Sequence, residues 1–440
     1  MAPRVASERP FAAARPCRRG CPSGQIAAHA AVRQVMRPGP RAGAQVDTLA
    51  GASVPSPAVG PLTVGFIRHE FLPPSETFIY TSMRALRRYD VRVFAVERRS
   101  QQKFSEGEVT ALASLPLGAV EALLYRATTV SPRLLRWARG LSLLHAHFGQ
   151  TGAHALWTAR RCGLPLVTSF YGKDVAVRRS RLRFSPAYWH YAALAPLLFA
   201  RGDRFLALSR HMRGELVAQG CPADKIRIVP LGVDVARVQP PSRPARARAR
   251  VLMVGREVEK KGFDDGLRAC ARARALGADL EVMLLGTGSA GAAPLRALAE
   301  QLGLDVAWPG PSTPVPKVLS EADVLLTPSR TARDGDQEGT PTVICEGSAA
   351  GLPVVATRHA GIPEQVEHGA TGLLADERDV EGLAAHLVRL SRSPDERRAM
   401  GEAGRRKMLA EYSVEAHRAR LEAVYDEVLG RPRAAEVARA

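Results

Sequence analysis

Short apolar segments alternate with amphipathic ones along the chain from Leu62 onward, and this alternation limits the fold more than any other feature. Each apolar segment is typical of a buried strand, and several end in polar residues at their carboxyl ends. Strands that alternate with helices predict a parallel sheet covered by helices. The first series contains LTVGFI (62–67), VRVFAV (91–96), LSLLHAHFG (141–149), GLPLVTSFYGKDV (163–175), RFLALS (204–209) and IRIVPLGVD (226–234).

A second series of the same type follows a break in the pattern. Residues 236–250 carry Pro and Arg without apolar periodicity, which predicts an inter-domain linker. A chain of 440 residues is also too long for one ordinary core. We therefore predict an α/β fold of two Rossmann-like parallel-sheet domains, residues 61–235 and 251–412, which face each other across a cleft. The second series contains VLMVG (251–255), EVMLLG (281–286), VAWPG (306–310), VLLTPS (324–329) and PVVAT (353–357).

Residues 1–60 are predicted to form a disordered tail. They hold eight arginines against two acids, Glu8 and Asp47, with repeated Pro, Ala and Gly. A signal peptide needs a continuous apolar segment, which these residues lack, whereas a transit peptide or a later start at Met36 would fit them. No apolar run approaches the roughly 20 residues of a membrane-spanning helix. The six cysteines are scattered without metal-ligand spacing, which favours a reduced, cytosolic protein.

The net charge of +19 admits nucleic-acid binding as one class of function. Such a protein would bind DNA or RNA with steeply salt-dependent affinity. Arginine supplies 55 of the 62 basic residues, however, and much of the basic excess lies in the tail and the linker. We therefore expect no nucleic-acid partner.

The stretch DGDQEGTPTVICEGSAAG (334–351) is predicted to bind a sugar-bearing phosphate. Pro341 is expected at the first position of a helix, where proline is favoured. The amides of Thr342 and Val343 would then point free N–H groups out of a positive helix end, where phosphates bind. Glu338 precedes this turn, and Glu346 lies about one helical turn further in, where a carboxylate can accept hydrogen bonds from sugar hydroxyls. The alternative is a pair of solvated acids beside a helix start.

Two cations follow the strand VLMVG and are candidates for the same ligand. Arg256 comes directly after the strand, and Lys261 lies at the start of the next helix. Arginine can grip a diphosphate as a bidentate fork and lysine as a point charge. The alternative is a solvated basic turn.

Polar residues also end the strands of the first series. His147, Tyr171, Asp174 and Ser209 follow neighbouring strands, so we expect them to face one cleft. For His147 a purely structural hydrogen bond is an open alternative. In the loop after the first strand, Ser75 is predicted to cap the following helix.

The basic segment VRRSRLRF (177–184) carries four arginines in eight residues and precedes the aromatic segment PAYWHY. Arg178 and Arg179, with His147, are therefore candidates for the acceptor side of the cleft. We expect this surface to approach anionic lipid or a lipid-diphosphate acceptor. A solvated turn before an ordinary core helix is the alternative.

Taken together, these segments resemble one family, the retaining nucleotide-sugar glycosyltransferases of family 4, which have the two-domain GT-B fold. The resemblance spans about residues 62–428. Its motifs stand in the family's order. They are PSETFI (74–79), HAHFG (145–149), SFYGKDV (169–175), LSRHMRGEL (208–216), VPLGVD (229–234), GREVEKKGF (255–263), EADVLLTPS (321–329) and EGTPTVICEGSAAGLPVVAT (338–357).

The resemblance assigns a role to each donor-side residue. Arg256 and Lys261 match the G-R-x-x-x-x-K-G motif, which holds the donor's phosphates. Glu338 and Glu346 match an E-x7-E motif, in which the first glutamate contacts the transferred sugar and the second the ribose. The amides between them, those of Thr342 and Val343, contact the phosphates. In the first domain, the PSETF loop closes over the diphosphate, which implicates Ser75, Glu76 and Thr77.

The main departure from the family pattern is Tyr171, where many members have a histidine that contacts the donor sugar. Gly172 and Asp174 of that motif are kept. A phenol with a pKa near about 10 is a poor base at neutral pH but can still donate or accept a hydrogen bond. Histidine-based catalysis is thus in doubt, and Glu338, Tyr171 and Asp174 are the catalytic candidates.

The family resemblance also predicts substrates and setting. The donor would be a UDP- or GDP-linked sugar, bound without a metal or other cofactor, and the acceptor a glycan or lipid-linked glycan. Similar enzymes retain the anomeric configuration, and the departing phosphate takes the acceptor's proton. The S-F-Y-G and G-D-x-E-G-x-P segments resemble the exopolysaccharide branch of the colanic-acid type. We expect a cytoplasmic protein, peripheral on the inner-membrane surface, whose last helix (413–429) packs back on the first domain. A nucleotide-sugar epimerase of the same fold is the rival enzyme.

Overall fold

The computed structural model describes residues 62–71, 77–98, 109–177, 181–184, 188–235, 238, 240, 248–288 and 290–431. For residues 181 and 182 it describes the backbone alone. The predicted tail (1–60), Ser75, Glu76, Arg178, Arg179 and most of the predicted linker lie outside these ranges.

The first described sheet has seven strands in the order β3-β2-β1-β4-β5-β6-β7, all paired in parallel. Its strands are β1 (Leu62–Phe71), β2 (Tyr89–Arg98), β3 (Val109–Ala111), β4 (Leu143–His147), β5 (Leu166–Ser169), β6 (Arg204–Ala207) and β7 (Ile226–Ile228). The helices between them are α1 (Thr77–Ala85), α2 (Gly118–Thr128), α3 (Pro132–Ala138), α4 (Gly149–Cys162), α5 (Lys173–Ala176), α6 (Trp189–Arg201) and α7 (Arg210–Val217).

The second described sheet has six parallel strands in the order β10-β9-β8-β11-β12-β13. Its strands are β8 (Ala249–Val254), β9 (Leu280–Leu285), β10 (Val306–Ala307), β11 (Val324–Thr327), β12 (Val354–Thr357) and β13 (Gly372–Ala375). The helices that follow β8 are α8 (Phe263–Ala275), α9 (Ala292–Gln301), α10 (Val315–Glu321), α11 (Thr342–Ala349), α12 (Ile362–Gln365), α13 (Val380–Arg392), α14 (Pro394–Glu411) and α15 (Val414–Val428). The predicted fold class, two Rossmann-like parallel-sheet domains, is confirmed.

Most strands are largely apolar and buried because helices cover both faces of a parallel sheet. Every residue of β4, β5, β11, β12 and β13 is buried. Several helices begin at the polar cap that the sequence supplies. In each of these helices the side chain of the N-cap residue accepts a hydrogen bond from an amide in the first turn. The caps are Ser131 for α3, Ser209 for α7, Asp379 for α13 and Ser413 for α15.

Helix α15 lies against the first sheet although it follows the second one in the chain. Its Leu421, Val424 and Tyr425 join the apolar cluster that contains Val64 of β1. At its edge, Arg88 pairs with two carboxylates of α15, Glu422 at 3.0 Å and Asp426 at 2.6 Å. The last helix therefore completes the core of the first domain.

Each sheet reverses its strand order at one point. In the first sheet the chain turns back between β1 and β4, and in the second between β8 and β11. Ligands of open parallel sheets bind outside the carboxyl ends of the strands at such points, because the loops there diverge and leave a crevice. Both crevices are where the sequence places its candidate residues.

Three local details differ from the sequence prediction. Strands β3 and β13 were not predicted; the first has three residues at a sheet edge and the second begins with glycine, so both carry a weak apolar signal. The prediction that Pro341 is the first helical residue is also wrong. The helix α11 begins at Thr342, and Pro341 is its N-cap, with a ψ of 111° that is not helical.

Candidate active site

A buried ion pair lies at the crevice of the second sheet. The Lys261 ammonium is 2.6 Å from Glu338 Oε1, and the two side chains are 16% and 8% exposed. Burial by itself opposes ionisation of Glu338, but the charges of Lys261 and Lys260 and the Lys261 hydrogen bond outweigh it and lower the pKa of Glu338 to about 2. Glu338 is therefore a fixed negative charge at neutral pH.

The second predicted glutamate, Glu346 of α11, belongs to the same cluster. Burial raises its pKa, and the positive charge of Lys261 acts in the opposite direction. Within the described part of the chain its carboxylate accepts no hydrogen bond, and the amides of Thr342 and Val343 at the start of α11 have no acceptor either. The structure thus brings a cation, two carboxylates and two unpaired helix amides together.

Arg256 stands at the same sheet edge, immediately after Gly255 at the end of β8. It is exposed, and among the described residues its guanidinium forms no ion pair or hydrogen bond. The nearby turn Gly286–Gly288 is organised around Glu257, whose carboxylate accepts hydrogen bonds from Thr287 N at 3.1 Å and Gly288 N at 2.9 Å. That glycine-rich turn therefore has a structural partner, whereas Arg256 is available to a ligand.

Sequence reasoning missed a relay that holds the Glu338 loop. The amide of Glu338 donates to His359 Nε2 at 3.1 Å, which places the ring proton on Nδ1. Nδ1 then donates to Glu377 Oε1 at 2.6 Å, and Thr331 N donates to Glu377 Oε2 at 2.9 Å. The available signal was His359 itself, a fully buried histidine two residues beyond the end of β12.

In the first domain, Tyr171 and His147 share a hydrogen bond of 2.7 Å between the phenol oxygen and Nδ1. His147 is 1% exposed, and burial, with the nearby His145 and Arg68, lowers its pKa well below the ordinary value. A neutral His147 therefore lies behind Tyr171 and orients its hydroxyl, and its place on the acceptor side stays a prediction.

Asp174 also has structural partners. Its Oδ1 accepts hydrogen bonds from the amides of Tyr171 and Gly172 at 3.0 Å each, and its Oδ2 accepts one from Gly149 at 2.9 Å. Burial raises its pKa and these amide hydrogen bonds oppose that shift. Asp174 thus ties the Tyr171 loop to the start of α4.

The Tyr171 loop touches the Glu338 loop across the cleft. Gly172 has a φ of +122°, and a Cβ there would lie 3.1 Å from the carbonyl oxygen of Gln337. A Cβ on Gly339 would lie 2.7 Å from the carbonyl oxygen of Tyr171. Glycine is needed at both positions for this close approach, which brings Tyr171 of the first domain beside Glu338 of the second.

A second contact joins the two domains at α7. The Glu364 carboxylate accepts hydrogen bonds from the amides of Arg210 at 3.0 Å and His211 at 3.1 Å, and so it occupies the positive end of α7. His211 Nε2 and Gln337 Oε1 are 3.2 Å apart. Ser209, predicted to face the cleft, is instead the buried N-cap of α7, and Thr77 is an exposed residue at the start of α1.

We expect Glu364→Ala to loosen the contact between the domains. Loss of a carboxylate that caps a helix end costs about 1 kcal/mol, which shifts an open–closed balance roughly fivefold. Small-angle X-ray scattering should show a larger radius of gyration than for the wild type. Glu364→Gln, which keeps one acceptor oxygen, should fall between the two. Identical scattering of all three proteins would show that this contact does not hold the cleft closed.

The comparisons with known proteins agree with this geometry. A model described as "Glycosyltransferase Family 4" matches residues 75–237, and one described as "Glycosyl transferases group 1" matches residues 238–407. A GDP-mannose-dependent alpha-(1-6)-phosphatidylinositol monomannoside mannosyltransferase of Mycolicibacterium smegmatis is 31% identical over 314 residues, 67% of this chain and 79% of that protein. This chain belongs to glycosyltransferase family 4.

Other relatives of this family 4 member are named as glycosyltransferases of colanic acid biosynthesis (WcaL) and amylovoran biosynthesis (AmsK of Erwinia amylovora). A putative colanic acid biosynthesis glycosyltransferase, WcaL of Salmonella typhimurium, is 38% identical over 259 residues, 56% of this chain. The match covers 61% of the length of that relative. Among solved structures, Anabaena Alr3699/HepE in complex with UDP has a TM-score of 0.69 at 18% identity and covers 83% of this chain and 100% of that one, which shows the shared fold.

None of the helices that the structure describes is long and apolar enough to cross a membrane. In the same ranges, no group of three or more His, Cys, Asp and Glu side chains is arranged to hold a metal ion. Whether the reaction needs a metal therefore stays a prediction of the family resemblance.

Proposed function

We propose that this protein transfers a sugar from a UDP- or GDP-linked donor to a glycan or lipid-linked glycan in exopolysaccharide biosynthesis, with retention of the anomeric configuration. The observation that carries the proposal is the cluster of Lys261, Glu338, Glu346 and the free amides of α11 at the crevice of the second sheet. The relatives in colanic acid and amylovoran biosynthesis support the choice of pathway class.

The donor's diphosphate would lie over the start of α11. Lys261 and the exposed Arg256 would supply two positive charges, and the amides of Thr342 and Val343 would donate to phosphate oxygens. Glu346, whose carboxylate has no hydrogen-bond donor in the described structure, would accept from the ribose hydroxyls. HepE binds UDP and UDP-glucose, and the Mycolicibacterium relative is GDP-mannose-dependent, so both bases are candidates.

Catalysis would take place where the two loops meet. Glu338, ionised at neutral pH, would accept hydrogen bonds from the transferred sugar and face the positive charge that develops at its anomeric carbon. Tyr171, oriented by His147, would hydrogen-bond the sugar from the other side, and Asp174 would hold the Tyr171 loop. The bond from the anomeric carbon to the donor phosphate breaks as the acceptor oxygen bonds on the same face, and the departing phosphate takes the acceptor's proton.

The acceptor would reach the cleft along the first domain, which we propose lies at the inner-membrane surface. Apolar side chains are unusually exposed at α2, where Leu117, the N-cap residue, is 81% exposed and Leu123 is 68% exposed. Arg183, next to Phe184, which is 73% exposed, is part of the predicted basic segment. Apolar side chains beside cations are the combination that binds anionic lipid surfaces.

Screening UDP- and GDP-sugars for thermal stabilisation of the purified protein tests the donor assignment. A ligand at about a hundredfold excess over its Kd stabilises the folded state by about 2.7 kcal/mol, which raises Tm by several degrees. The wild type should respond to one nucleotide, and Glu346→Gln should lose most of that response. Conversion of the donor to its epimer without an acceptor would favour the epimerase instead. No stabilisation by any UDP- or GDP-sugar would contradict the proposal.

A further inference from the structure

A cavity of about 700 Å³ opens in the first domain at the carboxyl ends of β1 and β4. This volume is ample for a small ligand. The lining is rich in imidazole and aromatic groups, and of its residues only Leu123 has been given a role above. Its lining side chains include Arg68, His69, Gln150, His154, Trp189 and His190.

Two of these imidazoles form a hydrogen-bonded pair that begins at a threonine. His69 Nδ1 is 3.1 Å from Thr151 Oγ1, and His69 Nε2 is 2.8 Å from His154 Nδ1. His154 Nε2 is then the free end of the chain. This nitrogen is buried and has no hydrogen-bond partner among the residues that the structure describes. His154 is 2% exposed and lines the cavity. A buried polar atom without a partner is costly, and a ligand in the cavity would satisfy it.

Both imidazoles are neutral near pH 7. Burial, with the charges of His190 and Arg126, lowers the pKa of His154 to about 4, and burial, with the charges of His154 and Arg68, lowers the pKa of His69 well below its ordinary value. A neutral imidazole has one donor and one acceptor nitrogen, and the threonine hydroxyl can either donate or accept. The chain can therefore run in either direction, so that His154 Nε2 donates to a ligand or accepts from it. An alcohol group, which also does both, matches this end better than an anion, which only accepts.

The cavity is also close to the proposed reaction centre. The Arg68 guanidinium lies 3.9 Å from the centre of the Phe148 ring, and Phe148 packs on Tyr171 with 4.6 Å between ring centres. One aromatic layer thus separates the cavity from Tyr171. On the outer side, Trp189 is 53% exposed and offers an apolar face of the kind that packs against sugar rings.

We propose, on the basis of the transfer reaction proposed above, that this cavity binds the accepting sugar and that His154 Nε2 hydrogen-bonds one of its hydroxyls. His69 and Thr151 are positioning residues that fix the His154 ring. The ligand class is a neutral glycan terminus with free hydroxyls, held by the imidazole and stacked against Trp189.

The first test compares His154→Leu with His154→Gln in the full chain. Glutamine keeps a polar group near the position of Nε2, whereas leucine removes it. With octyl β-galactoside, octyl β-glucoside and octyl α-mannoside as acceptors, His154→Leu should raise the acceptor KM about five- to tenfold, the factor for one neutral hydrogen bond. The change in donor KM should be smaller, and His154→Gln should recover much of the loss. His386→Leu, which removes an imidazole from the second domain, is the matched control and should leave the acceptor KM as it is.

The second test does not need turnover. In the UDP-saturated wild-type protein, long-range proton–nitrogen NMR spectra should show the His154 Nε2 signal moving as an octyl glycoside is added, while the His386 signals stay in place. No movement with any of the three glycosides would overturn the assignment. So would an acceptor KM that is equal in the wild type and His154→Leu. Normal sugar transfer together with an unchanged His154 Nε2 signal would overturn this inference alone. A wild-type protein that neither binds nor uses any nucleotide sugar would contradict the proposed function.

Discussion

Lys261→Ala is expected to abolish measurable sugar transfer while the protein stays folded. Lys261 is the cation that acts on both Glu338 and Glu346, so its loss removes a proposed phosphate ligand and leaves a buried carboxylate without its nearest counter-charge. One charged hydrogen bond to the donor contributes about 1.5–3 kcal/mol, which is roughly a tenfold to more than a hundredfold change in binding. Glu346→Ala should reduce donor binding by a similar factor, because it removes the proposed hydrogen bonds to the ribose hydroxyls.

The measurement is kcat/KM for the best donor, together with Tm. Lys317→Ala is the matched control, because Lys317 is an exposed lysine of α10 in the same domain. It should behave as the wild type in both measurements. Full activity of Lys261→Ala would show that the donor does not bind at this cluster.

Lys261→Ala should also change the stability of the protein at acid pH. The pKa of Glu338 is about 2 in the folded protein against an ordinary value of 4.5, so the ionised form stabilises the fold fully above pH 4.5. That contribution is lost as the pH falls through about 2. In Lys261→Ala burial is opposed by fewer charges, so less of this contribution is present at neutral pH and less is lost on acidification. Acid titration followed by circular dichroism would measure the difference between the two proteins.

Tyr425→Ala is expected to destabilise the first domain strongly. The Tyr425 side chain is fully buried in the cluster beneath the first sheet, and its hydroxyl lies 2.7 Å from His145 Nδ1. Removing a buried aromatic ring costs about 3–5 kcal/mol, which lowers Tm by roughly 10 °C in a domain of this size. It also frees helix α15 from the sheet that it completes.

Tyr425→Phe separates the ring from the hydroxyl. It keeps the packing but leaves His145 Nδ1 without its partner, and so should cost only about 1–3 kcal/mol. Thermal and urea unfolding of the three proteins measure the differences. A Tyr425→Ala protein as stable as the wild type would mean that α15 is not part of the folded core of the first domain.

Much of the donor site could be predicted from the sequence because its parts are local. Glu338, Thr342 and Glu346 lie within one loop and helix, and Lys261 follows a neighbouring strand. The carboxyl ends of parallel strands share one edge of a sheet, so an apolar pattern that locates the strands also locates these residues relative to each other. The roles of these residues are still predictions, which the variants above test.

The sequence by itself indicated the two parallel sheets, their order in the chain and the edge of each at which we propose that a ligand binds. Only the tertiary structure decided that Tyr171 lies beside Glu338, that Glu364 caps α7 and that the His69–His154 pair ends in a cavity. Each of these contacts joins residues far apart in the chain, through loops whose course depends on packing. Periodicity reports whether a segment is buried and on which face, but it carries no information about which distant side chain it will meet.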